Sequence, residues 1–149
     1  MSAARIEEFL EAAPVPLGLP AEEVERRLGH AQKTLEKEGR PTGFEYPGLW
    51  LAIEEGVVAS ISFLTGGADH GGGRYEGALP GGLKTTDSPA RVLELFGEPD
   101  RVQEVGLPSA GAKLVLHFYG LTAPATVTFA HRTQDPARLD RIVLSRRPA

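Results

Sequence analysis

The apolar positions of this chain change their period along its length. Near the start, Ile6, Phe9, Leu10 and Ala13 fall at i, i+3, i+4 and i+7, which predicts a short amphipathic helix over residues 3–13. Pro14 and Pro16 end it, because proline lacks the amide donor and its ring crowds the preceding turn. A second helix is predicted over 21–28: Val24 and Leu28 share a face, Glu22 and Glu23 occupy the first turn, and Gly29 supplies the stop. The stretch "HAQKTLEKEGRPTG" fits either a helix extension or an exposed edge strand. The period then drops to two. Leu49, Leu51 and Ile53 alternate with Trp50, Ala52 and Glu54, and after a Glu55-Gly56 turn Val57, Ala59, Ile61 and Phe63 alternate with Val58, Ser60, Ser62 and Leu64. Two half-buried antiparallel strands follow from that pattern.

The second half reads the same way. A helix is expected over 89–96, opened by Asp87-Ser88-Pro89, carrying Val92 and Phe96 inward and stopped by Gly97. Strands are expected around Val102 and Val105, over Lys113–Tyr119 with Leu114, Leu116 and Phe118 sharing a face, over Ala125–His131 with Val127 and Phe129 inward, and over Leu139–Ser145 with Ile142 and Leu144 inward. "EEVERRLGHA" and "ARVLELFGEP" place Val, an apolar residue four positions on, and Gly in the same order. Matched segments of this kind point to internal duplication. The expected fold class is therefore α+β: two tandem helix-plus-antiparallel-sheet units, with helices packed on one face of the sheet. The expected boundaries are an N-terminal unit over 1–65, a Gly-rich linker over 66–82 and a C-terminal unit over 83–149.

Composition narrows the function. A hydrophobic content of 41% permits a real core, and a net charge of −4 gives no general attraction to nucleic acid or anionic membrane. With no cysteine there can be no disulfide, thiol catalysis or Cys-based zinc site. The acidic opening "MSAARIEEFLEAA" resembles neither a signal peptide nor an anchor, so a cytoplasmic protein is expected.

Three tempting motifs have plainer readings. Gly77, Gly82, Lys84 and Thr85 nearly spell a phosphate-binding loop, but Leu83 separates Gly82 from Lys84 and would turn the ammonium away from the phosphates. Asp69-His70 lies in glycine-rich chain without a serine in a nucleophile elbow. If residues 120–124 form a turn, His117 and His131 stand about four residues apart along the ladder, roughly 13 Å at ~3.3 Å per residue. That is too far to share a metal ion, so neither a metal nor a cofactor is expected.

"LGLPAEEVERRLG" at 17–29 and "GLKTTDSPARVLELFGEP" at 82–99 resemble the helix signature of BLIP-like proteins, the group of the beta-lactamase inhibitor protein and the small barrel-assembly lipoproteins. "GLWLAIEEGVVASISFL" with "YEGALPGGL" is similar to bacterial proteins that look like toxin-immunity proteins. The resemblance implies a tandem helix-plus-sheet fold and a non-catalytic, protein-binding role. The chain departs from the group in lacking both the inhibitor's disulfides and the lipoproteins' lipobox cysteine.

Alternation sends Trp50, Val58, Val115, His117, Tyr119 and Val143 away from the expected helix side. Large aromatic chains on a nominally open face suit an interface, because they bury much area at small entropic cost. The partner-binding candidates are thus Trp50, Val58, Val115, His117 and Tyr119. The expected partner is another protein, such as a toxin or an enzyme, with a homodimer mate as the second occupant. The alternative reading is a small-ligand or enzymatic site in a cleft between units near the linker, using Asp69, His70 and Arg74.

Overall fold

The structure, a computed structural model, describes residues 3–65, 73–107, 112–120, 125–132 and 138–146. Among these residues, three α-helices, α1 (Ala3–Ala12), α2 (Ala21–Leu28) and α3 (Pro89–Phe96), and a short 3-10 turn (Pro80–Gly82) accompany eight strands. The first four strands are β1 (Lys33–Lys37), β2 (Arg40–Tyr46), β3 (Leu49–Glu54) and β4 (Val57–Leu64). The last four are β5 (Arg101–Leu107), β6 (Ala112–Tyr119), β7 (Ala125–Arg132) and β8 (Arg138–Arg146). All eight form one antiparallel sheet in the order β1-β2-β3-β4-β8-β7-β6-β5. The ambiguous stretch after α2 is the β1–β2 hairpin.

The expectation of two tandem helix-plus-sheet units is overturned by the middle of that order. β4 and β8 pair antiparallel from Ser60↔Ser145 to Leu64↔Arg141, so both halves of the chain build a single continuous sheet. The first helix also crosses over. Phe9 of α1 packs against Phe129 of β7 and Phe96 of α3, with ring centroids 5.9 and 5.5 Å away. Local periodicity carries no information about which strand edges meet, and that is why the sheet's continuity was not legible.

Paired residues in an antiparallel ladder point to the same face, so the registers can be followed across the sheet as rows. One row runs Tyr46, Leu49, Phe63, Ile142, Phe129, His117, Val102 from β2 to β5. The adjacent row on that face runs Phe44, Leu51, Ile61, Leu144, Val127, Tyr119. Every member but His117 and Val102 is buried. The three helices pack on this face, and Phe9, Phe96, Phe129 and Tyr119 interlock there in edge and stacked contacts.

The helices end alike. Gly29 closes α2 at φ 82° and Gly97 closes α3 at φ 80°, a left-handed region that glycine enters without a Cβ penalty. A tyrosine hydroxyl donates to each cap carbonyl: Tyr46 to Gly29 and Tyr119 to Gly97, both at 2.8 Å. Burial, with Glu98 and Asp100 nearby, pushes the Tyr119 pKa up to about 12, which keeps the hydroxyl protonated and donating. The helix starts differ. Ser88 caps α3 by accepting from the Arg91 amide, whereas the first amide of α2 donates to the Gly56 carbonyl of the β3–β4 turn.

Replacing either tyrosine by phenylalanine leaves a cap carbonyl unpaired, and each change should cost about 1–2 kcal/mol in urea unfolding. Among the described residues, Glu38 and Glu55 are the non-glycine residues with positive φ, at 55° and 53°, each at the first position of a two-residue hairpin turn before Gly. Asparagine tolerates that conformation better, so Glu55→Asn should raise stability by roughly 0.5–1 kcal/mol, read from the same denaturation curves.

Candidate functional site

The face opposite the helices carries its own central row: Glu45, Trp50, Ser62, Val143, Thr128, Phe118, Arg101. Its pattern is nearly palindromic. Charges stand at the ends, aromatic rings next, and hydroxyl residues flank the central Val143. Ser62 and Thr128 are buried between their larger neighbours, while Trp50, Val143 and Phe118 are half-exposed. The Trp50 indole lies over Gly43 on β2, where any Cβ would run into the ring. A glycine beneath an aromatic neighbour lets the ring settle flat on the sheet. Arg101 is placed over the Phe118 ring, its guanidinium carbon 4.4 Å from the centroid, in a cation–π contact. Leu114 and Leu116, both half-exposed, extend the apolar strip along β6.

The sequence-predicted site residues divide between the two faces. Trp50 and Val143 lie on the open face as expected. Val58 and Tyr119 are fully buried on the helix side. Val115 and His117 are half-buried on that same side, in register with His131 and Phe129. For Val58 the cause is a bulge: the β3–β4 register shifts between Ala52 and Ile53, Ala59 is the extra residue, and Val58 pairs with Ile53 facing the helices. For β6 the cause is that both faces are apolar. Leu114, Leu116 and Phe118 form one candidate inward set, and the competing set wins because the Tyr119 hydroxyl reaches the cap of α3. The signal that could have settled it is the Tyr-Gly pairing itself, "YPG" at 46–48 and "YG" at 119–120.

His117 and His131 do not lie four residues apart. The β6–β7 register pairs His117 with Phe129 and Val115 with His131, two residues away from the predicted pairing, so the imidazoles are diagonal neighbours with centroids 4.7 Å apart. Burial lowers the His117 pKa against a raising effect of Glu98. Burial, aided by His117, pushes His131 down to about 4, and its Nδ1 is buried without a hydrogen-bond partner. Among the described residues no group of three or more His, Cys, Asp or Glu converges as a metal site.

Asp69 and His70 lie outside the described residues. Arg74 bridges to Thr65, its Nε donating to the Thr65 carbonyl at 3.2 Å, and the next residue, Tyr75, stacks edgewise on Phe63 at 4.8 Å. Leu83, which breaks the phosphate-loop spacing, is buried in the core, and the helix begins only at Pro89. A separate cleft of about 840 Å³ opens on the helix side between α2 and the β1–β2 hairpin. Among the described residues no helix is long and apolar enough to cross a membrane. No known protein family, curated protein or solved structure matches the chain.

The histidine pair makes stability depend on pH. Both folded-state pKa values lie below the unfolded value of about 6.5, so the unfolded chain takes up protons first and stability is lost as pH falls from about 6.5 toward about 4. For His131 this amounts to about 2 kcal/mol between roughly pH 7.5 and pH 5. Urea midpoints at the two pH values should show the loss, and His131→Leu should remove most of it.

Proposed function

We propose that the protein is a non-catalytic protein-binding module, inhibitor- or immunity-like, whose partner docks on the open face of the sheet. The observation that carries the reading is the central outer row, with Trp50 and Phe118 half-exposed on either side of a small-residue floor. Trp and Arg are hot-spot residues, and Phe118 shares its exposed surface with Arg101. The face is also large enough. Eight strands at ~4.8 Å spacing span roughly 34 Å. A standard interface needs about 800 Å² on each partner. Of the sequence-predicted residues, Trp50 stays in the proposed site; Phe118, Leu116 and Val143 join it. Residues 66–72 aside, 73–83 fold against the core through Tyr75, Leu79 and Leu83, which supports the sheet face over a cleft at the linker.

The partner is another protein, a toxin or an enzyme in the inhibitor-like reading. The absence of cysteine fits the reducing cytoplasm, where we place the complex. A second copy of the chain is the competing occupant, and sedimentation equilibrium separates the two cases. A monomer leaves the face to a foreign partner; a dimer that Trp50→Ala dissociates assigns it to a mate. Trp50→Ala and Phe118→Ala should each weaken the complex formed in the native host by about thirtyfold, equivalent to ~2 kcal/mol. Their unfolding midpoints should stay close to the parent's, because neither ring sits in the buried core. Undiminished binding by the double variant would remove the open face from the reading.

A further inference from the structure

The cleft beside α2 lies on the opposite side of the sheet from the open face, and its chemistry is different. Its floor is apolar and already buried: Phe44 and Ile53 of the sheet, and Ala21 of the helix. Its rim is acidic. Glu22 and Glu25 project from α2, Glu36 and Glu38 from the β1–β2 hairpin, and Glu55 from the β3–β4 turn, against two cations, Lys37 and Arg40. Glu25 is engaged locally, accepting from the Ala31 amide at 3.1 Å and lying 3.3 Å from His30. No ion pair within 4 Å joins the other rim carboxylates to Lys37 or Arg40. The volume, about 840 Å³, lies in the range of pockets that enclose a drug-sized ligand or a few side chains.

An apolar floor under a ring of carboxylates suits side chains with an aliphatic stem and a cationic head, which lay methylenes on the floor and carry charge to the rim. We infer that this cleft binds a basic segment of a partner protein, with Arg or Lys stems over Phe44 and Ile53 and their heads among Glu22, Glu36, Glu38 and Glu55. The site stands independently of the open face. The rim's net negative charge rejects acidic segments, and its open form admits a chain passing along α2 more readily than an enclosed metabolite.

The turn conformation supplies a discriminating test. Glu38 and Glu55 hold left-handed backbone at hairpin positions where asparagine fits better, so the Glu38→Asn/Glu55→Asn double variant should unfold at a higher urea concentration than the parent. A short fluorescent peptide alternating Arg with Leu is titrated at ~0.15 M salt, where surface attraction is largely screened beyond about 8 Å, beside a peptide in which Gln replaces Arg. Saturable binding of the Arg peptide is expected, with at least a tenfold preference over the Gln peptide. The double asparagine variant should lose about tenfold or more in affinity while remaining folded. Thr34→Trp, which places a large ring on the exposed wall of the cleft, should block binding. Trp50→Ala should leave it unchanged, which keeps this site distinguishable from the open face. Absence of saturable binding, equal affinity for the two peptides, or full affinity in both cleft variants would overturn the inference.

Discussion

The ladder between β4 and β8 is the constraint on which the rest of the structure depends. Each half of the chain contributes four consecutive strands, and their innermost edges meet there. Without that pairing, the row from Tyr46 to Val102 would break into two short rows, each ending at an unpaired strand edge where the middle of the sheet now lies. With it, Phe63 and Ile142 sit side by side at the centre of one core, and both are fully buried. The junction is also held from its end. The Thr65 hydroxyl lies 2.9 and 2.7 Å from the carbonyl oxygens of Leu139 and Asp140, tying the residue that follows β4 to the first residues of β8.

The local elements were legible because each has a local cause. Gly29 and Gly97 stop helices through their own conformational freedom, Ser88 and Pro89 start one, and alternation marks β3, β4, β7 and β8. What failed to show in the sequence is non-local. The apolar stripe of α1 with Ile6 and Phe9 was plain, but nothing in it says that the helix belongs over β7. The face of β6 was ambiguous because Leu114, Leu116 and Phe118 compete with Val115, His117 and Tyr119, and a hydrogen bond to another element decides between them. Val58 was misplaced by one inserted residue, since in a period-two structure a single bulge exchanges the faces of everything beyond it. Four of the five candidate site residues inherited those two errors; Trp50, on a strand with regular alternation, did not.

The sheet therefore has two surfaces of opposite character. On the open side, aromatic rings are supported from beneath, Trp50 by Gly43 and Phe118 beside Arg101, over a floor too small to reach as high as they do. On the helix side, the described helices cover the centre of the sheet but stop short of both lateral margins. One margin is the acidic cleft beside α2; the other is the histidine pair next to exposed Val102. Those margins follow from arithmetic: among the described residues, three α-helices of eight to ten residues are too few to roof eight strands.

The placement of α1 has a consequence for the order in which the molecule can assemble. α1 is synthesised before all eight strands, yet its seat lies on β7, with Gly120 leaving room for the Ile6 side chain. A growing chain that has completed β4 therefore carries an undocked apolar helix together with an unpaired strand edge. Both are satisfied only after β7 and β8 have been made. The first helix acts as a late latch, and until it closes the nascent N-terminal half presents the surfaces that chaperones hold and that drive chains to associate.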